Sequence, residues 1–330
     1  MDKIKMGVIG LGHNGRAFCD RYLKNPRCEL VAVSDIDENR LNSALEAYGA
    51  FGVKGYGDDK ILFDPGIEAI SIHTPDNLHK DLFIKALETN HHVFVEKPMA
   101  DAVDDVKAMV GAYREHKDKT VQVGHILRFD RYFSLIKQLV AQGTLGDVFY
   151  LEADYIHDLR YQLYMEDWKV TAESPMIGGG CHPLDILRWY AGDAVEVSAM
   201  SNHIAYPEMK EDASIIAIFK FANGAVGKVT TLYGSVSPRP FGFNLSVYGT
   251  LGTVVRDKLS LNGMGEQWLD LPGDFDSNHD FTPEIEHFLK CIQTGQKPLI
   301  TPEDAANTVV AGLYALKSAS EKKTLAIPQI

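Results

Sequence analysis

Over the first 122 residues the apolar positions come in short unbroken runs, at 4–9, 30–33, 69–72, 92–95 and 121–123. Between them the apolar spacing becomes helical, over 15–23, 39–48, 78–87 and 103–113. Continuous Val/Ile-rich runs alternating with amphipathic helices predict a parallel sheet of α/β class with both faces covered, because a strand buried on both sides has no reason to alternate. Thr74-Pro75-Asp76-Asn77 closes the third run and is expected to cap the helix that follows. After another helix at 132–142 the period drops to two. Segments 149–155, 196–203, 215–221, 226–232 and 243–248 alternate as antiparallel strands with one wetted face do. Ala222-Asn223-Gly224-Ala225 reads as a hairpin turn, since Asn-Gly readily takes positive φ. Gly249-Thr250-Leu251-Gly252 reads as a second turn. Thr-Pro pairs open two closing helices, at 283–293 and 302–318. The change of period divides the chain into domains at 1–122 and 123–330.

A chain of 330 residues is comfortable for two domains. A net charge of -12 with no block of Lys or Arg excludes nucleic acid as a partner, since nothing offsets phosphate repulsion. No apolar stretch approaches the roughly 20 residues that span a bilayer. The first strand begins almost at residue 1, so no signal peptide is expected. Cys19, Cys28, Cys181 and Cys291 are scattered without a C-x-x-C pair, which fits thiols in a reducing cytoplasm better than a disulfide framework or a zinc site.

The first run ends in Gly10-Leu11-Gly12-His13-Asn14-Gly15, a G-x-G-x-x-G turn between a strand and a helix. In that context the first glycine makes the turn, the second lets the backbone approach a pyrophosphate, and the third lets helix and strand pack closely. The helix N-terminus offers N–H groups and dipole to the phosphates. All six residues are therefore candidate cofactor contacts. The second run ends at Asp35, 20 residues beyond Gly15, a spacing that suits a carboxylate bonded to an adenosine ribose. The bland reading of Asp35 is a turn acid. Ile36 follows, so no adjacent cation neutralises a 2′-phosphate and NAD is favoured over NADP; Arg40 lies close enough to keep the question open.

Two further strings fall at strand carboxyl ends, where open α/β sheets bind ligands. One runs from His73-Thr74-Pro75 to His79, the other is Glu96-Lys97-Pro98 after a wholly apolar strand. Lys97 is either a cap on that strand or an ammonium aimed at the reactive end of a bound nucleotide. Glu96 orients it or fills a turn. In the second half, Gly178-Gly179-Gly180-Cys181-His182-Pro183 leads into helical spacing, which puts His182 at a helix start. There an imidazole tends to be neutral and able to accept a proton. A capping or packed histidine is the alternative. His182 and Asp185 at i, i+3 lack a third metal ligand, so no metal is expected. Cys181 is taken as a small buried residue. Tyr155, His157, Arg160, Tyr161, Tyr164 and Trp168 interleave rings with polar groups, as a carbohydrate pocket does. Arg160 and Lys169 equally suit a substrate carboxylate or phosphate, and an ordinary covering loop is the alternative.

These motifs together resemble the glucose–fructose oxidoreductase / inositol dehydrogenase / rhizopine-catabolism (Gfo/Idh/MocA) family. The resemblance rests on Gly10–Gly15, Asp35, Thr74-Pro75 with His79, Glu96-Lys97-Pro98, Arg128-Phe129-Asp130, and His182-x-x-Asp185 with Trp189. It implies an N-terminal Rossmann domain and a C-terminal α+β domain with an open, mostly antiparallel sheet for substrate binding and oligomerisation. It implies an NAD(P)-dependent dehydrogenase or reductase of CH–OH groups, with a nicotinamide site between the domains. Lys97 and His182 are then the catalytic pair acting on a sugar or polyol, and the molecule a homodimer or homotetramer. Many members carry an aspartate four residues before the histidine; here that position is Gly178, so either another acid, Asp185 or Asp154, supports His182, or the proton path differs. The same departure leaves room for transient oxidation followed by elimination or hydrolysis at a sugar. A non-catalytic NAD-sensing regulator is the remaining alternative.

Overall fold

The computed structural model describes residues 3–158, 174–236, 241–272 and 280–330, without the side chains of 241–243. The chain divides into two compact units, Met1–Gly124 with Phe281–Ala306, and His125–Asp280 with Asn307–Ile330.

In the first unit β1 (Ile4–Ile9), β2 (Cys28–Ser34), β3 (Lys54–Tyr56), β4 (Ala69–Ile72), β5 (His92–Glu96) and β6 (Val121–Gly124) form one sheet in the order β3-β2-β1-β4-β5-β6. Every pairing is parallel. All residues of β4 and β6 are buried, which is why those runs show no alternation. The connecting helices are α1 (His13–Lys24), α2 (Glu38–Tyr48), α3 (His79–Glu88) and α4 (Val103–Glu115). Strand order reverses between β1 and β4, so the connections leaving their carboxyl ends run to opposite faces of the sheet, the kind of switch point at which open α/β sheets bind ligands. The short edge strand β3 has no counterpart in the apolar pattern. Only Tyr56 in it is even partly buried, so no hydrophobic signal marks it. The cap expected from Thr74–Asn77 is absent: a 3-10 turn at Asp76–Leu78 intervenes, and α3 starts at His79 with no side-chain cap.

The boundary expected at residue 122 needs one correction. The helix Thr282–Thr294 belongs to the first unit, although the sequence period groups it with the second. Its Ile285, Phe288 and Leu289 are buried in the same core as Phe18, Leu30 and Phe94. Gln122 Nε2 donates to the Glu284 carbonyl at 3.0 Å, and Val123 N–H donates to the Ile300 carbonyl at 3.1 Å. An amphipathic pattern tells that a helix needs a partner, not which one.

In the second unit β7 (Val148–His157), β8 (Ala194–Asn202), β9 (Ser214–Phe221), β10 (Val226–Leu232), β11 (Phe241–Gly249), β12 (Gly252–Val255), β13 (Lys258–Leu261), β14 (Leu269–Asp270) and β15 (Leu325–Ala326) form one sheet. Its order is β14-β13-β12-β11-β7-β10-β9-β8-β15. All neighbours are antiparallel except β7 and β10, which run parallel. Alternation records which face is wet but not strand direction. The hairpin at Asn223-Gly224 forms, with Gly224 alone at positive φ. The helices α5 (Arg131–Ala141) and α6 (Cys181–Ala191) belong to this unit, and α6 is buried along nearly its whole length.

Candidate active site

The glycine turn is built as its spacing implies. Gly10 has φ +90, and a Cβ there would lie 2.6 Å from the His73 carbonyl. A Cβ on Gly15 would lie 1.8 Å from the Gly10 carbonyl oxygen, so helix and turn approach closely enough to admit only hydrogen. Gly12 is different: its missing side chain faces open space, with nothing nearer than Arg40 Nη1 at 3.9 Å. Gly12 is also the N-cap of α1 and supplies no side-chain cap, and the first turn holds no acid. His13 is exposed and Asn14 partly buried beside it. Asp35 lies against the turn, accepting Leu11 N–H at 2.7 Å with Oδ2 and Asp37 N–H at 2.9 Å with Oδ1. It is thus a turn acid in part, yet each oxygen retains a second lone pair. An uncapped helix start, an open glycine and a fixed carboxylate at the switch point fit a dinucleotide's pyrophosphate and ribose.

Lys97 follows directly from β5. Its backbone N–H donates to Glu96 Oε2 at 3.2 Å. Glu96 Oε1 lies 3.5 Å from Asn14 Nδ2, which ties the glycine turn to the lysine. Burial would push the Glu96 carboxyl up, but His73, then Lys97 and His79, outweigh it and hold it below its usual value. His79 is fully buried. Its Nδ1 lies 2.9 Å from the Pro98 carbonyl oxygen and its Nε2 2.9 Å from that of Thr74. A neutral ring donates to one of these at a time, and burial lowers its pKa. His79 braces Thr74-Pro75 and Lys97-Pro98, the two loops at the carboxyl ends of β4 and β5.

In the second unit His182 is buried at the start of α6. Its ring stacks on Tyr155, with centroids 5.8 Å apart at 17°. Tyr155 also stacks on His157 and lies 6.1 Å from the Tyr233 ring. The glycine run makes this possible: a Cβ on Gly179 would meet Tyr155 at 2.5 Å, and one on Gly180 would meet Thr231 Oγ1 at 2.5 Å.

Neither acid expected to support His182 does so. Asp185 accepts from Arg128 Nε and Nη2, each at 2.7 Å, and from the Thr308 hydroxyl at 2.9 Å. Burial pushes its carboxyl up, but Arg128, with His125 and Arg188 behind it, keeps it well below the usual carboxylate range. Asp154 alternates with Tyr155 along β7, so it points to the opposite face. There it meets Lys228 at 3.6 Å and Asn244 at 3.3 Å. Parity along one strand therefore separates it from His182.

Arg160 and Trp168, expected at the substrate, lie outside the described residues, as do Tyr161, Tyr164 and Lys169. Sequence reasoning missed Tyr22 and Ser71, and Tyr233 beside Tyr155, and gave His73 no role of its own. His73 adjoins Thr74-Pro75, so its position at a strand end was visible. Tyr22 and Ser71 carried no signal, each reading as one more core position.

Residues 4–125 match the GFO/IDH/MocA oxidoreductase family, NAD-binding Rossmann fold, and residues 133–255 match the GFO/IDH/MocA C-terminal domain. The chain is 25% identical to a myo-inositol 2-dehydrogenase of Thermotoga maritima, with 99% of each chain covered. It is 27% identical to the scyllo-inositol 2-dehydrogenase (NAD(+)) of Bacillus subtilis, over 96% of this chain and 94% of that one. A levoglucosan dehydrogenase in complex with NADH shares the fold at TM-score 0.87 and 21% identity, covering 100% of both chains. An Agrobacterium radiobacter oxidoreductase in complex with NAD+, L-tartaric acid and magnesium does so at 0.86 and 21%, over 98% of each. With both domains of one family matched in chain order, and the glycine turn, Lys97 and His182 seated as described, the chain belongs to the GFO/IDH/MocA oxidoreductase family.

Proposed function

We propose that the protein is an NAD-dependent dehydrogenase, or the matching ketone reductase, acting on a secondary CH–OH group of a cyclitol or sugar. The observation that carries this is the Asn14–Glu96–Lys97 connection, which fixes a lysine at a strand end next to a dinucleotide turn. The inositol dehydrogenases among the relatives support the substrate class. When bound, the nicotinamide supplies the hydride acceptor or donor. Gly10 to Gly15 and Asp35 hold the dinucleotide, and Thr74-Pro75, with Glu96 and Lys97, line the adjoining loops. His182 takes the proton of the alcohol, since hydride leaves readily only as that proton departs. Lys97 donates a hydrogen bond to a substrate oxygen and stabilises developing negative charge there. Tyr155 presents a ring to the C–H face of the substrate, and Arg160 and Trp168 are assigned to substrate binding from the sequence pattern.

NAD is preferred over NADP because Asp35 faces the turn as an anion and exposed Ile36 offers no counter-charge to a 2′-phosphate. The four buried thiols fit a cytoplasmic setting. The wetted face of the nine-stranded sheet carries Met200, Ile216, Ile218 and Val226 exposed, and we assign it to a second copy of this chain. Absorbance at the NADH band tests the whole reading, using a panel of inositols, sugars and their keto forms with each cofactor. Net NADH formation from a cyclitol or sugar is expected. Sugar cleavage without net NADH, or no turnover of any alcohol or ketone, would overturn it.

A further inference from the structure

Beneath the glycine turn runs a chain of buried polar groups. Tyr22 O–H of α1 donates to Ser71 Oγ of β4 at 3.1 Å, and Ser71 Oγ lies 2.7 Å from His73 Nε2. His73 Nδ1 lies 3.4 Å from Glu96 Oε1, an ion-pair distance. The His73 side chain is 0% exposed, and Tyr22 and Ser71 are fully buried. Burial pushes the Tyr22 phenol well up, so it stays an O–H donor. Ser71 Oγ, which accepts from Tyr22, meets His73 Nε2, and the other ring nitrogen, Nδ1, is the one on the side of Glu96. The plane of the ring is fixed by Phe18, with centroids 4.2 Å apart, and by Phe94 at 5.9 Å and 24°.

We propose that His73 is a positioning residue for Lys97: oriented by Ser71 and clamped by Phe18 and Phe94, it holds the Glu96 carboxylate, which fixes the Lys97 backbone and the Asn14 amide. This deepens the role given to Lys97 above and rests on it. A carboxylate this buried takes up a proton unless donors or cations face it. The groups that face Glu96 are Asn14 from α1, His73 from the end of β4, His79 from α3 and Lys97 itself. Only His73 among the titratable ones brings a ring nitrogen to ion-pair distance. A protonated Glu96 would lose negative charge beside the lysine and spend an oxygen as donor. The lysine turn would then be held less firmly.

His73→Phe tests this, because a phenyl ring can keep the packing against Phe18 and Phe94 while removing both nitrogens. Infrared difference spectra at pH 6 read Glu96 without substrate. The carboxylic-acid C=O band is expected to be absent in wild type, present in His73→Phe, and lost again in the His73→Phe/Glu96→Gln double variant. In turnover, kcat should fall at least about tenfold with KM for NAD moving less than about threefold. The acid limb of kcat should move to higher pH, and His73→Gln should restore part of the rate. No new band, or an unmoved acid limb, would overturn the proposal. If His73→Phe fails to fold, Ser71→Ala, which frees the ring tautomer, is read by the same band: its appearance supports the proposal and its absence overturns it. A wild type inactive on every alcohol and ketone would sink the role of Lys97 and leave the infrared arm standing.

Discussion

Lys97 carries its ammonium on four rotatable carbons, so its usefulness depends on how firmly the backbone beneath it is held. Here the Glu96 carboxylate holds it directly, and the His79 ring holds the carbonyl of the next residue, Pro98. Replacing Lys97 by Ala should leave NADH affinity, measured by fluorescence titration, within a few-fold of wild type. The same change should lower kcat by about 10²-fold or more, since only the transition-state contact is lost. Asp35 is legible at the same scale. Asp35→Ala removes an acceptor from the turn and the anion that opposes a 2′-phosphate. NAD affinity should then drop about tenfold while NADP affinity drops less or rises, which paired titrations would show. Equal losses for both cofactors would leave Asp35 only its turn role.

At the scale of elements, α6 is anchored by charge as well as by packing. Asp185, one turn into the helix, is the counter-ion of Arg128, and Arg128 stacks over Trp189 at 5.6 Å. Removing one partner of a buried pair leaves the other uncompensated, so Arg128→Leu should cost about 3–5 kcal/mol in urea unfolding. A loss under about 1 kcal/mol would mean that Asp185 finds another donor in Thr308 or Arg188. The resemblance to the family marked Arg128 and Asp185 from sequence, but the partnership was not legible: they stand 57 positions apart, and i, i+3 spacing drew attention to His182 instead. Asp154 was misplaced for a simpler reason. One step along a strand exchanges faces, and only the register of β7 against β10 and β11 says which residues share the face with His182.

For the molecule as a whole, acid and cofactor are the two levers on stability. Glu96 and Asp185 both titrate lower in the folded chain than in the unfolded one. Their contribution is therefore complete above the unfolded values near pH 4 and is lost as pH falls through the folded ones. Unfolding free energy should begin to fall below about pH 7, because the buried His79, with its lowered pKa, takes up a proton more readily in the unfolded chain, and should fall further below about 4 as the carboxylates are protonated. In Arg128→Leu, where Asp185 loses its cation, the second fall should begin at higher pH. NAD binds only the folded turn, so saturation at about 100 times Kd should add about 2.7 kcal/mol, seen as a higher melting temperature. A Gly15→Ala chain should show no such rise, since its Cβ would overlap the Gly10 carbonyl.

The sequence alone determined the alternation of buried strands and helices, the glycine turn, the acid at the second strand end and the lysine after the fifth. Each of these is a local matter: a period of burial, a backbone angle or a strand terminus is settled by neighbours within a few residues. The tertiary structure decided what depends on distant partners. It placed the helix Thr282–Thr294 against Phe94, paired Arg128 with Asp185, turned Asp154 away from His182, and ran Tyr22, Ser71 and His73 to Glu96. Those groups meet only because the sheet closes its register and buries them, and burial is what makes a lone polar group seek the nearest donor.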